Sequence, residues 1–170
     1  MEGAKRNHWP EHAVGPLHAA RLWQRFGKAL SNASSHSDPL DDLEIVPDPQ
    51  ERLLWITERG RRATTFTAAE RLPAHRVPGC VSAVWLIDEL SNTQCRFRGD
   101  AEAPVLRGLV ALLCRRVSGR SVAEVATDAT DIVSRLQLER HLTPTRVNGL
   151  RAFQAHLRRL AASHLGPAGS

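Results

Sequence analysis

The sequence contains no tyrosine, one methionine and three cysteines among its 170 residues. No run of apolar residues approaches the roughly 18 that a membrane-spanning helix needs. The N-terminus also lacks the apolar core of a secretory signal. These absences argue against a membrane protein and against export, so we expect a soluble protein of the cytoplasm.

The three cysteines are Cys80, Cys95 and Cys114. They form no C-x-x-C pair and have no His-x-x-x-His partner motif, which argues against a structural zinc site. Their odd number also argues against a framework of disulfides. In a reducing compartment, each of them is either a small buried hydrophobe or a reactive thiol.

The formal net charge is +5, so the chain has a modest excess of basic residues. Basic surfaces bind nucleic acids by neutralising phosphates, which keeps a basic module for nucleic-acid or protein binding among the alternatives. However, no cluster of lysine and arginine with interleaved aromatic residues occurs. We therefore expect no specific nucleic-acid partner, and interpret the charge as favouring solubility or an acidic protein partner.

The length and the 42% hydrophobic content fit one domain with a real core. Residues 1–40 include the polar run 31–39 and are predicted to be a disordered or weakly structured tail, although residues 17–30 have the apolar spacing of a short helix. We assign residues 41–165 to the domain and residues 166–170 to a flexible C-terminus. The tail is poor in acids and contains arginine, which leaves organelle targeting open.

Apolar spacing and turn residues predict the elements of the domain. We expect folded structure to start near Asp48-Pro49, an N-cap and first-turn proline that open a helix ending near Gly60. Strands are predicted at Val81–Ile87 and Thr93–Gly99, joined as an antiparallel hairpin by a turn at Asp88–Asn92. Later helices are predicted from Pro104 to Gly119, at Ser121–Val125, at Ile132–Leu136 and from Pro144 to Leu160.

Cys80 follows Pro78-Gly79 and precedes the first predicted strand. At such a loop tip we expect the thiol to be exposed, or to be tucked under Trp85 and its neighbours until a partner draws the loop outward. Reaction requires the thiolate, which nearby positive groups favour. From its position alone, an ordinary, inert loop cysteine is the favoured interpretation. Cys95 and Cys114 lie in apolar patterns and are expected in the core.

The segment Arg76–Trp85, RVPGCVSAVW, resembles the sulfur-acceptor loop of the SufE family, in which a Gly-Cys pair is followed by a serine and then Val-Trp. Three further blocks resemble the family in the same order: Phe97–Ala103, Arg107–Leu113 and His141–Leu150. Val81 and Ala83 depart from the family pattern, because many members have polar residues around the cysteine.

The resemblance implies an α+β domain with a short antiparallel β-sheet covered by helices, similar also to iron-sulfur scaffold proteins of the IscU type. Cys80 would accept persulfide sulfur from a SufS-like cysteine desulfurase, stimulate that enzyme and deliver the sulfur to an iron-sulfur cluster assembly scaffold. The protein would not itself be an enzyme. No cofactor is expected, because the PLP belongs to the desulfurase. We expect a monomer or a weak homodimer with no membrane partner.

The resemblance also suggests which residues support Cys80. Four are predicted to support its loop: Gly79, Ser82, His75 and Arg76. A side chain at Gly79 would crowd an incoming persulfide. Asp100 and Arg146 are candidates for partner binding. Asp100 is interpreted first as a helix N-cap, with restraint of the loop as the alternative. Arg146 would meet the desulfurase or the Cys80 loop, although a lone arginine is usually a solvated or ion-paired surface group.

A metal or cluster scaffold is the remaining alternative, since the fold resemblance includes IscU. Such a site needs several converging ligands, and the predicted loop offers one cysteine. Trp85 is expected in the core of the sheet rather than at an interface.

Overall fold

The computed structural model describes residues 38–91 and 94–165. Its helices and strands, in chain order, are α1 (Pro39–Glu44), α2 (Pro49–Arg62), β1 (Val84–Ser91), β2 (Gln94–Ala101), α3 (Pro104–Val117), α4 (Val122–Ala126), α5 (Ile132–Arg135) and α6 (Pro144–Ser163), with a 3-10 turn at Pro73–His75. Residues 1–37, which include the helical apolar spacing at 17–30, and residues 166–170 lie outside the described residues. The division into tail and domain therefore stays a prediction.

Strands β1 and β2 form the predicted antiparallel hairpin, paired from Val84 with Ala101 to Ser91 with Gln94. Both strands end later than predicted, and the turn expected at Asp88–Asn92 is wrong, because β1 continues to Ser91. The charged residues in that stretch suit a strand with a solvent-exposed face: the Glu89 carboxylate binds Arg98 of β2 at 3.1 Å. The predicted α+β class is confirmed.

Helix α3 contacts both β2 and α2, and so covers the sheet as predicted. Two glycines allow α2 and α3 to cross closely. A Cβ added at Gly108 would lie 2.0 Å from the carbonyl oxygen of Ile56, and one added at Gly60 would lie 1.9 Å from that of Pro104. The backbones of these helices therefore pack directly against each other, with no room for a side chain at either glycine.

Helix α1 was not predicted, since folded structure was expected to start near Asp48. Its Leu40 is fully buried, and Asp38 caps its N-terminus and binds Arg116 and Arg135, each at 2.9 Å. Six residues are too few to display a helical period. What fixes this helix is a set of partners that lie far along the chain.

The core lies between the sheet and helices α3 and α6. Phe153 of α6 is fully buried there. Cys95 and Cys114 are 1% and 4% exposed, which confirms that both belong to the core. Burial raises the pKa of Cys114 to about 12, so this thiol stays neutral at physiological pH. Among residues 38–91 and 94–165, no helix is long and apolar enough to cross a membrane.

Candidate functional site

Residues 78–83, which we name the Cys80 loop, leave the edge of the sheet and return to it. At the base of the loop the Val77 N–H donates to the carbonyl of Val84 at 2.9 Å, and Arg76 forms a bridge with Trp85. The N–H of Glu102, just after β2, donates to the carbonyl of Ala83 at 3.2 Å. Both ends of the loop are thus fixed to the hairpin by backbone hydrogen bonds.

Gly79 has a φ of +82°, in the left-handed region that residues with a side chain rarely adopt. A Cβ at this position would lie 3.5 Å from the Cβ of Ala152, which is an ordinary contact. The backbone conformation, more than a lack of space in the free protein, accounts for glycine here. That a side chain would crowd an incoming persulfide stays a prediction.

The Cys80 side chain points inward and is half-buried. Its Sγ donates to the carbonyl oxygen of Gly149 in α6 at 3.3 Å. Its neighbour Val81 is 80% exposed, and Pro78 and Gly79 are exposed as well. The sequence allowed either an exposed Cys80 thiol or a tucked one, and in the structure the thiol is tucked. It lies against α6 and not under Trp85. Trp85 is 8% exposed and belongs to the buried hydrophobic residues, as expected.

Beside Cys80 is a small pocket with about 270 Å³ of empty space, part of which is open to solvent. Its enclosed part has room for about one water-sized group. The walls are mainly apolar and include Val84, Leu106, Val110, Leu150 and Phe153. Ser82, Thr145 and Arg146 provide polar groups in its lining. A second atom attached to the sulfur would therefore meet a largely apolar surface.

Burial raises the pKa of the Cys80 thiol, and the positive charge of Arg76 partly offsets that shift. In this tucked position, which we call the closed position of the Cys80 loop, the thiol is therefore neutral at physiological pH and is a weak nucleophile. Moving Cys80 into water would remove the main cause of the raised pKa. The raised pKa thus belongs to this tucked position of the side chain.

Two arginines flank the thiol. Arg76 is exposed and Arg146 is partly exposed at the pocket. Neither forms an ion pair with an acid in the part of the chain that the structure describes. Their charges are therefore available to an anionic group that approaches Cys80.

The remaining predicted support residues differ in position. Ser82 lines the pocket beside Cys80. His75 instead lies in the 3-10 turn, where its Nδ1 is 2.7 Å from the carbonyl oxygen of Glu70. His75 therefore supports the segment that leads to the loop, and the structure shows no contact between its ring and the thiol.

Asp100 lies within β2 and is fully buried. The interpretation of Asp100 as an N-cap is wrong, because the residue that caps α3 is Ala103. Its carboxylate accepts hydrogen bonds from the N–H of Phe66 at 2.9 Å and from Arg71 and Arg107, also at 2.9 Å. Burial would raise the pKa of Asp100, but these hydrogen bonds outweigh it and lower the pKa. A buried carboxylate with these partners does not contact another protein in this conformation.

Arg71 and Gly149 contact this region but were not singled out in the sequence. The Arg71 guanidinium lies over the Trp85 ring, 4.9 Å from its centroid, while binding Asp100. Gly149 falls inside the block His141–Leu150, so the block resemblance was the one signal for it. For Arg71 the sequence contained no signal, because its partners lie 14 and 29 residues away.

No group of three or more histidine, cysteine or acidic side chains suited to a metal ion occurs within the described ranges. Within these ranges Cys80 is therefore not part of such a group. The chemistry that the site itself supports is that of one thiol next to an apolar pocket, two cations and a backbone carbonyl.

Comparisons with known proteins identify the family to which the chain is similar. The family model for SufE, described as an Fe-S metabolism associated domain, matches residues 37–161. An uncharacterized SufE-like protein of Rhizobium etli is 34% identical over 124 residues, which cover 70% of this chain and 84% of that protein. Another, from Synechocystis, is 29% identical over 138 residues, 81% of this chain and 76% of that protein.

Among solved structures, the solution structure of a hypothetical protein from Thermus thermophilus is similar, with a TM-score of 0.61. The match covers 75% of this chain and 93% of that one, at 19% identity. At this identity the similarity shows the fold alone.

Proposed function

The chain belongs to the SufE family, whose domain is associated with Fe-S metabolism, and from this we propose that Cys80 is a sulfur acceptor. Cys80 takes persulfide sulfur from a SufS-like cysteine desulfurase and delivers it to an iron-sulfur cluster assembly scaffold. The protein also stimulates the desulfurase. The PLP and the catalytic step reside in that partner, and this chain supplies the acceptor thiol.

The observation that carries the proposal is the difference between Cys80 and the other two cysteines. Cys95 and Cys114 are buried, whereas Cys80 is partly accessible and sits in a loop anchored at both ends. A sulfur carrier needs one thiol that a partner can reach and that is otherwise protected. Cys80 is the cysteine of this chain that meets both conditions.

The transfer is a thiol exchange in which atoms and electrons balance. The Cys80 thiolate attacks the outer sulfur of the persulfide on the desulfurase cysteine. A new S–S bond forms on Cys80 while the S–S bond of the donor breaks, and the bonding pair stays with the donor cysteine as its thiolate. The proton of Cys80 goes to solvent before the attack. No external oxidant or reductant is needed, because the sulfur moves between two thiols.

The surroundings of Cys80 support both stages of this exchange. Before transfer, burial and the hydrogen bond to Gly149 keep the thiol neutral, so that it is protected from unwanted reaction. After transfer, the small apolar pocket offers space for the added sulfur if the loop closes again. The positive charges of Arg76 and Arg146 favour the anionic form of a persulfide on Cys80. They also attract an acidic surface of a partner.

The test combines the protein with a SufS-like desulfurase and cysteine, followed by mass mapping of the added sulfur. We expect one additional sulfur on the peptide that contains Cys80, and none in the Cys80→Ser variant. Cys95→Ala is the matched control, since it removes a buried thiol and should load normally. Sulfur on Cys114, or undiminished transfer by Cys80→Ser, would refute the proposal.

A further inference from the structure

The Arg71 side chain contacts both strands of the hairpin, Asp100 in β2 and Trp85 in β1. Its Nε and Nη2 bind one oxygen of Asp100, at 3.2 and 2.9 Å. The same guanidinium covers the face of the Trp85 ring at 4.9 Å. Asp100 and Trp85 are directly paired across the two strands. Arg71 therefore clamps this pair from the outside.

This clamp lies next to the base of the Cys80 loop. Trp85 bridges Arg76, and its neighbour Val84 accepts the hydrogen bond that closes the loop. Arg71 also belongs to the segment that leads directly into the loop through the 3-10 turn Pro73–His75. The segment 71–77 is thus attached to the hairpin at both of its ends, by Arg71 at the start and by Arg76 and Val77 at the end.

We propose that Arg71 is a positioning residue for sulfur transfer, which holds the Cys80 loop in its closed position by tying the chain before the loop to Asp100 and Trp85. The proposal rests on the proposed function of Cys80 for its consequence in sulfur transfer. Its effect on the accessibility of the thiol does not need a partner and can be measured in the free protein.

The fold does not depend on Arg71 alone. Without it, Asp100 still accepts hydrogen bonds from Phe66, Ala101 and Arg107, so the buried carboxylate is not left unpaired. The Arg71 side chain is itself 31% exposed, so its truncation opens a surface site and not an internal cavity. Removal of Arg71 should therefore loosen the loop locally while the domain remains folded.

The experiment measures the alkylation rate of each cysteine in the native protein. In Arg71→Ala we expect Cys80 to react roughly three- to tenfold faster than in the wild type, as the loss of one ion pair and one cation–π contact implies. Cys95 and Cys114 should stay protected and so report that the core is intact. Arg71→Lys should restore part of the protection, because an ammonium keeps the charge but not the flat, forked contact.

Arg98→Ala is the matched control. Arg98 also binds carboxylates, those of Glu70 and Glu89, and also lies over an aromatic ring, that of Phe66 at 5.3 Å. It makes no hydrogen bond or ion pair to Asp100 and no ring contact with Trp85 within the described part of the chain. We expect its Cys80 to react at the wild-type rate.

Sulfur transfer provides the second readout. After loading by the desulfurase, Arg71→Ala should lose its sulfur to an added small thiol faster than the wild type does, by a similar factor. The inference is overturned if Cys80 of Arg71→Ala is alkylated at the wild-type rate. It is also overturned if the alkylation of Cys95 and Cys114 accelerates as much as that of Cys80. If the wild type takes up no sulfur while Arg71→Ala still exposes Cys80, the proposed function fails and the positioning of the loop by Arg71 stands.

Discussion

The α2–α3 helix pair and the Cys80 loop are both built around glycines, but their backbones are held in different ways. In the helix pair, Gly60 and Gly108 let two backbones touch, and a side chain at either position would collide with a carbonyl. In the loop, Gly79 permits a left-handed turn, with ordinary space around it. The first region resists movement by packing, whereas the second is held by a few hydrogen bonds and one arginine clamp.

The two regions differ in how far they can change without unfolding the molecule. Close packing transmits strain to many atoms at once, so the helix pair has one arrangement. Regions held by few contacts open at a lower free energy than the core. A carrier whose thiol must be reached by a partner and then covered again needs both properties side by side.

The largest expected effect is that of Gly108→Ala in the helix pair. The new methyl group would lie 2.0 Å from the carbonyl oxygen of Ile56, so the helices must separate. We expect the free energy of unfolding to fall by about 3 kcal/mol, measured by urea denaturation. The control is Gly149→Ala in α6, where the methyl group would be 3.8 Å from the Cys80 Sγ, an ordinary contact. Equal stability of these two variants would show that the α2–α3 pair is not held by closer packing than the surroundings of Gly149.

A smaller effect is expected for Gly79→Ala, which places a methyl group on a residue with a φ of +82°. The strain should lower the free energy of unfolding by about 1 kcal/mol, and relaxation of the turn should also change the alkylation rate of Cys80. Gly119 has a φ of +85° with open space around it, so Gly119→Ala should show the same stability loss without any change at Cys80. If Gly79→Ala and Gly119→Ala change the alkylation rate of Cys80 equally, the change does not arise from the conformation of the Cys80 loop.

The smallest effect concerns charge. Arg76 lowers the pKa of Cys80 against the dominant effect of burial, so Arg76→Gln should raise that pKa further. At pH 8 less thiolate would then be present, and alkylation of Cys80 should slow by about twofold, with the two proteins converging at high pH. The measurement is the alkylation rate as a function of pH, with Arg96→Gln on β2 as a control for net charge. A faster rate for Arg76→Gln at pH 8 would show that Arg76 acts on loop closure and not on the thiol.

The sequence was most informative where structure is local. Apolar spacing was enough to predict that two antiparallel strands pair, although not where their turn lies. Together with capping residues it also predicted α2, α3 and α6, and it predicted the burial of Cys95 and Cys114. Cys80 was singled out because four blocks of the sequence resemble the SufE family in the same order. The chemistry of its position alone would not have been enough. These features depend on neighbours within a few turns of the chain or on a pattern that extends along it.

Contacts between distant residues were the part that could not be predicted. The inward direction of Cys80 depends on Gly149, 69 residues later, and the pairing of Asp100 with Arg71 spans 29 residues. Asp100 was misinterpreted because β2 was expected to end one residue before it, which made a helix cap the natural role. Helix α1 was missed for the same reason, since the ion pairs of Asp38 reach to Arg116 and Arg135.

The separation between Cys80 and Gly149 also has a consequence for how the protein is made. A ribosome adds about 5–20 residues per second, so these 69 residues take on the order of 10 seconds to follow. During that interval the nascent chain carries the cysteine without the helix that will cover it. The hydrogen bond from Cys80 to Gly149 can form only after α6 has been made, so the thiol begins its existence without this cover.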